Sequence, residues 1–522
     1  MSLWLTAGEG RRSTALRAGG MIVVGLCLVL AFPPFDLWFT AALAPGAAAL
    51  LVRDQPLRRS ALLGVVLGLA FFLPLMWWTG MEVGPIPWVL LGILEASFFV
   101  LLTMGFTVVQ RLPGWPVWIA AVWIAVEAFR GRFPWGGLTW GKLAFAQADG
   151  PFTGLAALGG TPLVSFAVAL VSGLLAWLVV STDRWTRVVA AGAAAAVTVS
   201  GLFVSPPAPD GDTITVASVQ GNVPAMGLDY NARARVVTEN HVAATHQLVR
   251  DVENGSVRQP DLVIWPENSS DINPFADPTI YADIDRAVAA IGVPVVLSAI
   301  IPTGDGRHKE NTSILWDPEQ GPTQTYVKRR PMPFGEYIPF RDIAALITDA
   351  VNRQPLDQIA GDEVGVFSTD VGSIALAICF EVGFDEIVRD AVVDGGQFLA
   401  VQTNNATFRD SPMSEQHLAQ SRLRAVEHGR SVIVSALSGI SAVIGPDGTV
   451  EQRTELFTQD VLVADVRLSD ETTVATTVGA WPEWVIVGLA LGAVVAGIAL
   501  TRRPTEVDSG SPREPEPVAA GV

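Results

Sequence analysis

The sequence predicts a polytopic α-helical membrane domain of about eight transmembrane helices, joined to an extracytoplasmic α/β domain. Half of the 522 residues are hydrophobic and only 16% are charged, whereas a typical soluble domain has roughly 25% charged residues. Charged residues are sparse from Ala18 to Val204 but occur at ordinary density from Pro206 to Thr477. The second region contains short apolar strands that alternate with helical patterns, as in an α/β domain with covered sheets.

The membrane part is predicted from seven apolar stretches and an isolated eighth, because a hydrocarbon core of about 30 Å requires about 20 apolar residues per helix. The first two stretches are short and could merge, so the predicted number of spans is accurate to about one. The predicted spans are 19–31, 37–52, 60–78, 86–109, 115–129, 161–180, 185–204 and 482–500. The predicted domains are an N-terminal membrane domain with about seven helices over 1–205, an extracytoplasmic domain over 206–480, a C-terminal transmembrane helix over 481–503 and a disordered cytoplasmic tail over 504–522.

Basic residues beside the short loops predict the orientation, because cytoplasmic loops are enriched in Lys and Arg. If the N-terminus is cytoplasmic, most of these residues fall inside and the large polar region falls outside. Arg130, Arg132 and Lys142 break the pattern, since they lie on the outer side after the fifth span. We expect the loop that carries them to fold against another part of the protein.

The polar region is predicted to be one large α/β domain of strands and intervening helices. The predicted strands are 213–220, 261–267, 293–300, 312–317, 323–328, 373–380, 397–404, 431–437 and 441–445. The predicted helices are 231–252, 278–291, 384–394 and 414–429. In the last helix we expect Glu427 and Arg430 to form a structural ion pair.

Three side chains at the ends of predicted strands are candidates for nucleophilic chemistry: Glu267, Lys328 and Cys379. Side chains at strand ends of an α/β domain can converge on one cleft. A thiol with an unperturbed pKa near 8.5 needs a base to become a good nucleophile. Glu267 can accept its proton, and the Lys328 charge can stabilise an oxyanion. Taken singly, the three have ordinary alternatives as a strand-end cap, a surface charge and a core thiol.

The sequence around these positions resembles a known family. WPEN (265–268), KRRPMPFGEYIPF (328–340) and CFE (379–381) resemble the Glu-Lys-Cys triad motifs of the nitrilase, or carbon-nitrogen hydrolase, superfamily. The form PFGEY, with an outer domain between seven upstream spans and one downstream span, is similar to the apolipoprotein N-acyltransferases over nearly the whole chain. The resemblance implies a nitrilase-like αββα sandwich, with Glu267 as general base, Lys328 as oxyanion stabiliser and Cys379 as nucleophile.

The resemblance also implies supporting residues. Glu336 of PFGEY is a second carboxylate that orients Lys328 or the attacking amine, and Phe380 and Glu381 match the aromatic-Glu pair after the cysteine. Asn404 in TNNATF (403–408) positions a loop near the nucleophile or serves a simple turn. Trp135 in FPWGG (133–137) lies in a segment that packs against the catalytic domain, or is an interfacial belt residue.

The sequence departs from the family pattern at three places. Phe380 replaces the Tyr that often follows the cysteine, so a hydroxyl is absent there. The Trp that commonly follows QGNVP (220–224) is missing near Asp229. Arg409 stands where Gly is common, and the usual Trp of that loop is also missing. The resemblance implies that the missing Trp near Asp229 concerns a contact with the acceptor or the lipid.

The implied reaction is a two-step acyl transfer. A membrane phospholipid donates a fatty acyl chain to the Cys379 thiol, and the α-amine of a diacylglyceryl-modified apolipoprotein accepts it. The protein is then a multi-pass protein of the bacterial cytoplasmic membrane, with its catalytic domain on the outer face. The alternative enzyme is a membrane-anchored nitrilase-type amidase on a C–N substrate, for which one anchor would suffice. A transporter or sensor with a degenerate outer domain is the non-enzymatic alternative.

Other features exclude some chemistries or add weaker candidates. The five histidines form no metal-ligand pattern, and we predict neither a metal nor a cofactor. The net charge of −17 argues against nucleic acid as a partner. A disulfide between Cys27 and Cys379 is not expected, because Cys27 lies in the first span. Glu95 and Glu127 fall in or near apolar spans, where ionisable groups are functional candidates by default.

Overall fold

The computed structural model describes residues 11–223 and 230–502. It contains a helical bundle (residues 11–203 and 481–502) and a sandwich of two β-sheets with flanking helices (residues 213–467). The helices are α1 Arg11–Leu30, α2 Ala44–Val52, α3 Leu57–Leu75, α4 Gly80–Val83, α5 Pro85–Val109, α6 Trp115–Arg130, α7 Ala156–Val180, α8 Arg184–Ser200, α9 Tyr230–Glu253, α10 Pro278–Ile291, α11 Arg341–Ile347, α12 Asp385–Val393, α13 Met413–His428, α14 Val474–Val478 and α15 Trp481–Arg502. The strands are β1 Thr213–Gln220, β2 Leu262–Ile264, β3 Val295–Pro302, β4 His308–Asp317, β5 Gly321–Val327, β6 Asp357–Gln358, β7 Val366–Thr369, β8 Gly372–Ile378, β9 Phe398–Thr403, β10 Val432–Ala436, β11 Ala442–Ile444, β12 Val450–Arg453 and β13 Asp460–Arg467.

Eight helices of the bundle lie where the sequence predicts spans, and the polytopic helical fold is confirmed. Six of them, within the part of the chain that the structure describes, are long and apolar enough to cross a membrane: α1, α3, α5, α7, α8 and α15. Helix α6 has 16 residues and is therefore about 24 Å long, somewhat less than a hydrocarbon core. Helix α2 has nine residues and follows a short helical turn at Trp38–Thr40.

The sandwich contains two mixed sheets. The first has the strand order β13-β1-β2-β3-β4-β5, with β6 beside β4, and the second has the order β12-β11-β10-β9-β8-β7. In the first sheet β1, β2 and β3 are parallel neighbours, and in the second β8, β9 and β10 are. The carboxyl ends of these parallel strands therefore lie at one edge of each sheet.

Three apolar cores define four layers, and the predicted αββα arrangement is confirmed. One core lies between the sheets and includes Ile264 and Phe398. Apolar side chains of α9 and α10 cover the outer face of the first sheet, and those of α12 and α13 cover the second. Because both faces of each sheet are covered at the centre, the central strands β2, β9 and β10 are buried at every position rather than at alternate positions.

The core of the helical bundle continues into the sandwich. Phe380, Phe384 and Ile387 belong to the same buried cluster as residues of the bundle, including Phe72 and Trp140. The segment that follows Cys379 is therefore packed directly on the bundle. This contact brings one edge of the sandwich to the end of the helices.

The sequence analysis missed four strands. β6, β7 and β12 are short, with two to four residues each, and give little periodic signal. β13 is a full strand whose buried and exposed residues largely alternate, which is the pattern of a sheet with one covered face. Two predicted features, the missing Trp near Asp229 and the tail 504–522, lie outside the described residues.

Candidate active site

The three strand-end residues come from both sheets. Glu267 follows β2, Lys328 follows β5, and Cys379 follows β8 of the second sheet. The Lys328 ammonium lies 3.1 Å from Glu267 Oε1, and both side chains are buried. The Cys379 thiol lies close enough to both groups for their charges to shift its pKa, which Glu267 raises and Lys328 lowers. The fold therefore brings the predicted residues into one site.

Two further contacts fix the Glu267 carboxylate. Asn311 Nδ2 donates to Oε1 over 2.7 Å, and the backbone N–H of Asn404 donates to Oε2 over 2.9 Å. Asn311 lies on β4 and is itself held by the Ser298 hydroxyl. The sequence analysis missed Asn311, although a buried amide in the strand segment NTSILWD was a signal for a polar contact. Each carboxylate oxygen thus accepts at least one hydrogen bond.

Glu336 forms the other side of the Lys328 site. Lys328 Nζ donates to Glu336 Oε1 over 2.7 Å, and the Met332 backbone N–H donates to Oε2 over 2.7 Å. Burial by itself lowers the pKa of Lys328, but the negative charges of Glu267 and Glu336 raise this pKa well above its ordinary value. Burial also raises the pKa of Glu336, and Lys328 opposes that shift. The lysine therefore stays positively charged between two carboxyl groups.

Cys379 begins the cysteine loop (residues 379–383) and is half-buried. Its φ of 51° lies in the left-handed region, which is uncommon for a residue other than glycine and costs free energy. The Cys379 carbonyl accepts a hydrogen bond of 3.0 Å from His417 Nε2. Burial and the negative charge of Glu267 raise the pKa of the thiol from 9.0 to about 12, against the effect of Lys328. The resting group is thus a protonated thiol beside a carboxylate.

Glu381 joins the cysteine loop to the segment that carries Lys328. Its carboxylate accepts hydrogen bonds from the backbone N–H groups of Ile378, Arg329 and Arg330, at 2.8, 2.7 and 3.0 Å. The Tyr326 hydroxyl donates to both carboxylate oxygens over 3.0 Å. Glu381 is fully buried. Through these contacts its carboxylate positions the end of β8 and the segment that follows β5.

The other supporting residues lie around this centre. Phe380 is buried against Phe384 in the core shared with the bundle. The Asn404 side chain donates to Asn268 and accepts from Ala406, so its direct contact with Glu267 is made by the backbone.

Trp135 lies against the PFGEY segment. Its ring makes edge contacts with Phe334 at 5.3 Å and Phe340 at 6.1 Å. The backbone carbonyl of Trp135 accepts a hydrogen bond of 3.4 Å from the Tyr337 hydroxyl. The outer segment FPWGG thus lies against the sandwich, and the Trp135 ring remains 39% exposed.

Two neighbouring residues of α13 connect the site to the bundle, and the sequence analysis missed both. Gln416 Oε1 accepts hydrogen bonds from the indole N–H groups of Trp78 and Trp140, at 3.2 and 2.7 Å. His417 stacks beside Trp140 and donates to the Cys379 carbonyl. No signal in the sequence marks them, because α13 is polar along most of its length although nearly all of its residues are buried.

The acidic residues of the spans make internal contacts. Glu95 forms a buried ion pair of 3.2 Å with Arg130. Glu127 accepts hydrogen bonds from the Trp123 indole and the Leu143 backbone, both at 2.8 Å. The basic residues that broke the charge pattern are all paired, since Arg132 contacts Glu483 at 2.5 Å and Lys142 contacts Asp385 at 2.7 Å.

The expected pair of Glu427 with Arg430 is wrong. Glu427 pairs with Arg424 on α13. Arg430 lies beyond the end of this helix and donates to the carbonyls of Gly396 and Glu471. Both arginines are three residues from Glu427, but only Arg424 lies on the helix with it.

Comparison with known proteins gives matches to both parts of the chain. A family described as Apolipoprotein N-acyltransferase N-terminal domain matches residues 24–174, and the family Carbon-nitrogen hydrolase matches residues 215–476. The chain is 40% identical over 520 residues to an apolipoprotein N-acyltransferase of Mycolicibacterium smegmatis, covering 94% of this chain and 86% of the relative. It is 29% identical over 503 residues to that of Pseudomonas putida, covering 91% and 96%.

Among solved structures, a mutant of the Nesterenkonia AN1 amidase from the nitrilase superfamily aligns with a TM-score of 0.38 and 19% identity, covering 52% of this chain and 95% of that chain. The match to the helical bundle as well as the sandwich favours the acyltransferase over the anchored amidase. The candidate spans and the family make it a membrane protein and an acyltransferase. The extent of these matches shows that the chain belongs to the apolipoprotein N-acyltransferase family.

Proposed function

We propose that the chain transfers a fatty acyl chain from a membrane phospholipid to the α-amine of a diacylglyceryl-cysteine at the start of an apolipoprotein, with Cys379 as nucleophile. The observation that supports these roles is the buried Glu267–Lys328 pair beside the half-buried Cys379. The family gives the class of reaction, and the geometry supports the proposed roles of the side chains.

In the first step the Cys379 sulfur attacks the ester carbonyl of the phospholipid. Glu267 accepts the thiol proton and returns it to the leaving lysophospholipid oxygen. Lys328 stabilises the oxyanion, because a fixed positive charge in a buried site interacts strongly with developing negative charge. The product is an acyl thioester on the enzyme.

In the second step the acceptor α-amine attacks the thioester. Glu267 takes a proton from the amine, the carbon–sulfur bond breaks as the amide forms, and Glu267 returns the proton to the leaving sulfur, which regenerates the thiol. A thioester reacts with amines more readily than an oxygen ester does, so the covalent intermediate replaces one difficult transfer by two easier ones. Glu336 keeps Lys328 in place through both steps.

The location of the site supports lipid substrates. Phe380 and Phe384, directly after the cysteine, pack in the same core as the bundle helices. A site at the junction of the bundle and the sandwich is suited to a lipid held in the bilayer. We infer that residues 1–205 and 481–503 form the membrane part, that 206–480 form the catalytic part, and that 504–522 form a cytoplasmic tail.

We infer that the sandwich lies on the outer face of the cytoplasmic membrane. The bundle contacts the sandwich at Pro33, Leu75 and the segment 133–142. In the predicted topology these positions all lie at the outer ends of helices that run from the cytoplasmic side to the outer side. The opposite ends of the helices carry Arg53, Arg58, Arg59, Arg111, Arg184 and Arg187, as expected of cytoplasmic loops. The outer basic residues Arg132 and Lys142 are neutralised by Glu483 and Asp385.

The acyl-enzyme tests this assignment directly. When the full-length protein is incubated with phospholipid vesicles and no acceptor, intact mass spectrometry should show the added mass of one acyl chain. The variant Cys379→Ala should show none, and Cys27→Ala should behave as the unsubstituted protein. An acyl adduct that persists in Cys379→Ala would refute the proposed nucleophile.

A further inference from the structure

A second group of buried charges lies where the bundle meets the sandwich. Asp385 is the first residue of α12, two positions after the cysteine loop. Its Oδ2 accepts a hydrogen bond of 2.7 Å from Lys142 Nζ, and its Oδ1 accepts one of 2.9 Å from the Thr161 hydroxyl. Arg424 Nη2 lies 2.6 Å from Oδ1. One carboxylate thus binds two bundle residues and one sandwich residue.

Arg424 connects this carboxylate to the cysteine loop. Its Nε donates to the Val382 carbonyl over 2.8 Å, and its Nη2 donates to the Gly383 carbonyl over 3.0 Å. The side chain is fully buried and is also paired with Glu427. One guanidinium group therefore holds the last two carbonyls of the cysteine loop and also contacts Asp385.

The bundle partners of Asp385, Lys142 and Thr161, are buried and contact each other. Lys142 lies in the segment after α6 and is only 5% exposed, and it also donates to the Thr161 hydroxyl over 3.2 Å. Thr161 lies on α7 directly after Gly159 and Gly160, whose backbone is not helical. Burial tends to raise the pKa of Asp385, but Lys142 and Arg424 lower it well below its ordinary value. The carboxylate is therefore charged and bridges two fixed cations.

We propose that Asp385 is a positioning residue that holds the cysteine loop in register with the helical bundle, through Arg424 on one side and Lys142 on the other. The proposal rests on the acyl transfer proposed above. Glu267, Lys328, Glu336 and Cys379 all belong to the sandwich, so their mutual contacts do not require the bundle. The approach of a bilayer lipid to the thiol, in contrast, requires a fixed position of the sandwich relative to the bundle.

The test uses Lys142→Met, because this variant leaves Asp385 paired with Arg424. Asp385→Asn is less suitable, because it leaves two buried cations without this counter-charge. The first readout is the rate at which phospholipid vesicles acylate Cys379. The second is the rate at which iodoacetamide, a small soluble reagent, alkylates Cys379, located by peptide mass. Misplacement of a reacting group by about 1 Å can reduce a rate by up to about 100-fold.

We expect Lys142→Met to reduce acylation by about 10-fold to 100-fold and to leave alkylation within about twofold of the unsubstituted protein. Lys142→Arg should restore acylation. The matched control is Asp149→Asn, which removes the 2.7 Å pair of Asp149 with Arg422. That pair also joins the two parts of the chain through α13. Within the described residues neither Asp149 nor Arg422 hydrogen-bonds to the cysteine loop, so this variant should acylate normally.

Two results would overturn the proposal. Unchanged acylation in Lys142→Met would show that the bridge does not position the loop. An equal loss of acylation and alkylation would show a general structural defect in the site. Failure of the unsubstituted protein to acylate would instead count against the proposed acyl transfer, which keeps the two proposals separable.

Discussion

The Lys328 ammonium lies 3.1 Å from the Glu267 carboxylate, and the two side chains are almost completely buried. Charges in such a site interact more strongly than in water, and removal of one partner leaves the other without compensation. Glu336 supplies a second carboxylate to the same ammonium at 2.7 Å. In the proposed mechanism Glu267 exchanges a proton with Cys379 while Glu336 continues to neutralise the lysine.

The variant Glu267→Gln tests the general base. The amide retains a hydrogen-bond acceptor for Lys328 but does not accept a proton from the thiol. General-base catalysis typically contributes about 100-fold to 10,000-fold, so the rate of acyl-enzyme formation should fall by that amount. The rate is measured by rapid mixing with phospholipid vesicles and mass spectrometry. A rate within about threefold of the unsubstituted protein would exclude Glu267 as the base.

The pH dependence of Cys379 alkylation tests the charge environment. Because burial and Glu267 raise the pKa of the thiol to about 12, the alkylation rate of the unsubstituted protein should still be rising at the highest pH at which it remains folded. Glu267→Gln removes a negative charge that disfavours the thiolate, so the rise should move to lower pH. Iodoacetamide kinetics across the alkaline range provide the measurement, and a shift to higher pH would contradict the assigned electrostatics.

Glu381 and Tyr326 form a pair for testing stability. Glu381→Gln replaces one carboxylate oxygen by an NH2 group, so either the Ile378 N–H or the Arg329 and Arg330 N–H groups lose their acceptor. An unsatisfied buried donor costs about 1–3 kcal/mol, and the remaining hydrogen bonds lose the strength that the negative charge gives them. We expect a loss of about 3 kcal/mol or more in the free energy of unfolding. Tyr326→Phe removes one donor and should cost about 1 kcal/mol. Thermal unfolding in detergent compares the two, and equal losses would show that the backbone contacts of Glu381 are not important.

His417 is predicted to maintain the backbone of the nucleophile. Its Nε2 donates to the Cys379 carbonyl over 3.0 Å, and burial lowers the pKa of the ring, so it remains neutral. His417→Leu removes the donor and should slow both acylation and alkylation by about 10-fold, the cost of roughly one hydrogen bond. His417→Gln places an amide donor in this region and should recover part of the rate. Full activity in His417→Leu would show that other contacts suffice.

The architecture was largely predictable because its signals are local. Long apolar stretches identify membrane helices, and the continuous apolar strands of a buried sheet are visible without knowledge of their neighbours. Strand β13 was missed because its buried and exposed residues largely alternate. The lengths of α2 and α6 depend on tertiary packing and were not predictable to the residue.

The site was predictable in its centre and not in its surroundings. Glu267, Lys328 and Cys379 stand at strand ends within recognisable motifs. Asn311, His417 and Asp385 act through partners that are 44, 38 and 243 residues away in the chain. Such contacts leave no local pattern. The expected pair of Glu427 with Arg430 failed for a related reason, since α13 ends before Arg430 and Glu427 pairs with Arg424 on the same helix.

The most direct test of the account follows a labelled acyl chain from donor to acceptor. Purified full-length protein is mixed with phospholipid vesicles that carry the label and with a synthetic peptide whose N-terminal cysteine bears a diacylglyceryl group. The account predicts label in amide linkage on the peptide α-amine with the unsubstituted protein, and none with Cys379→Ala. Transfer by Cys379→Ala, or release of labelled free fatty acid with no labelled peptide, would contradict it.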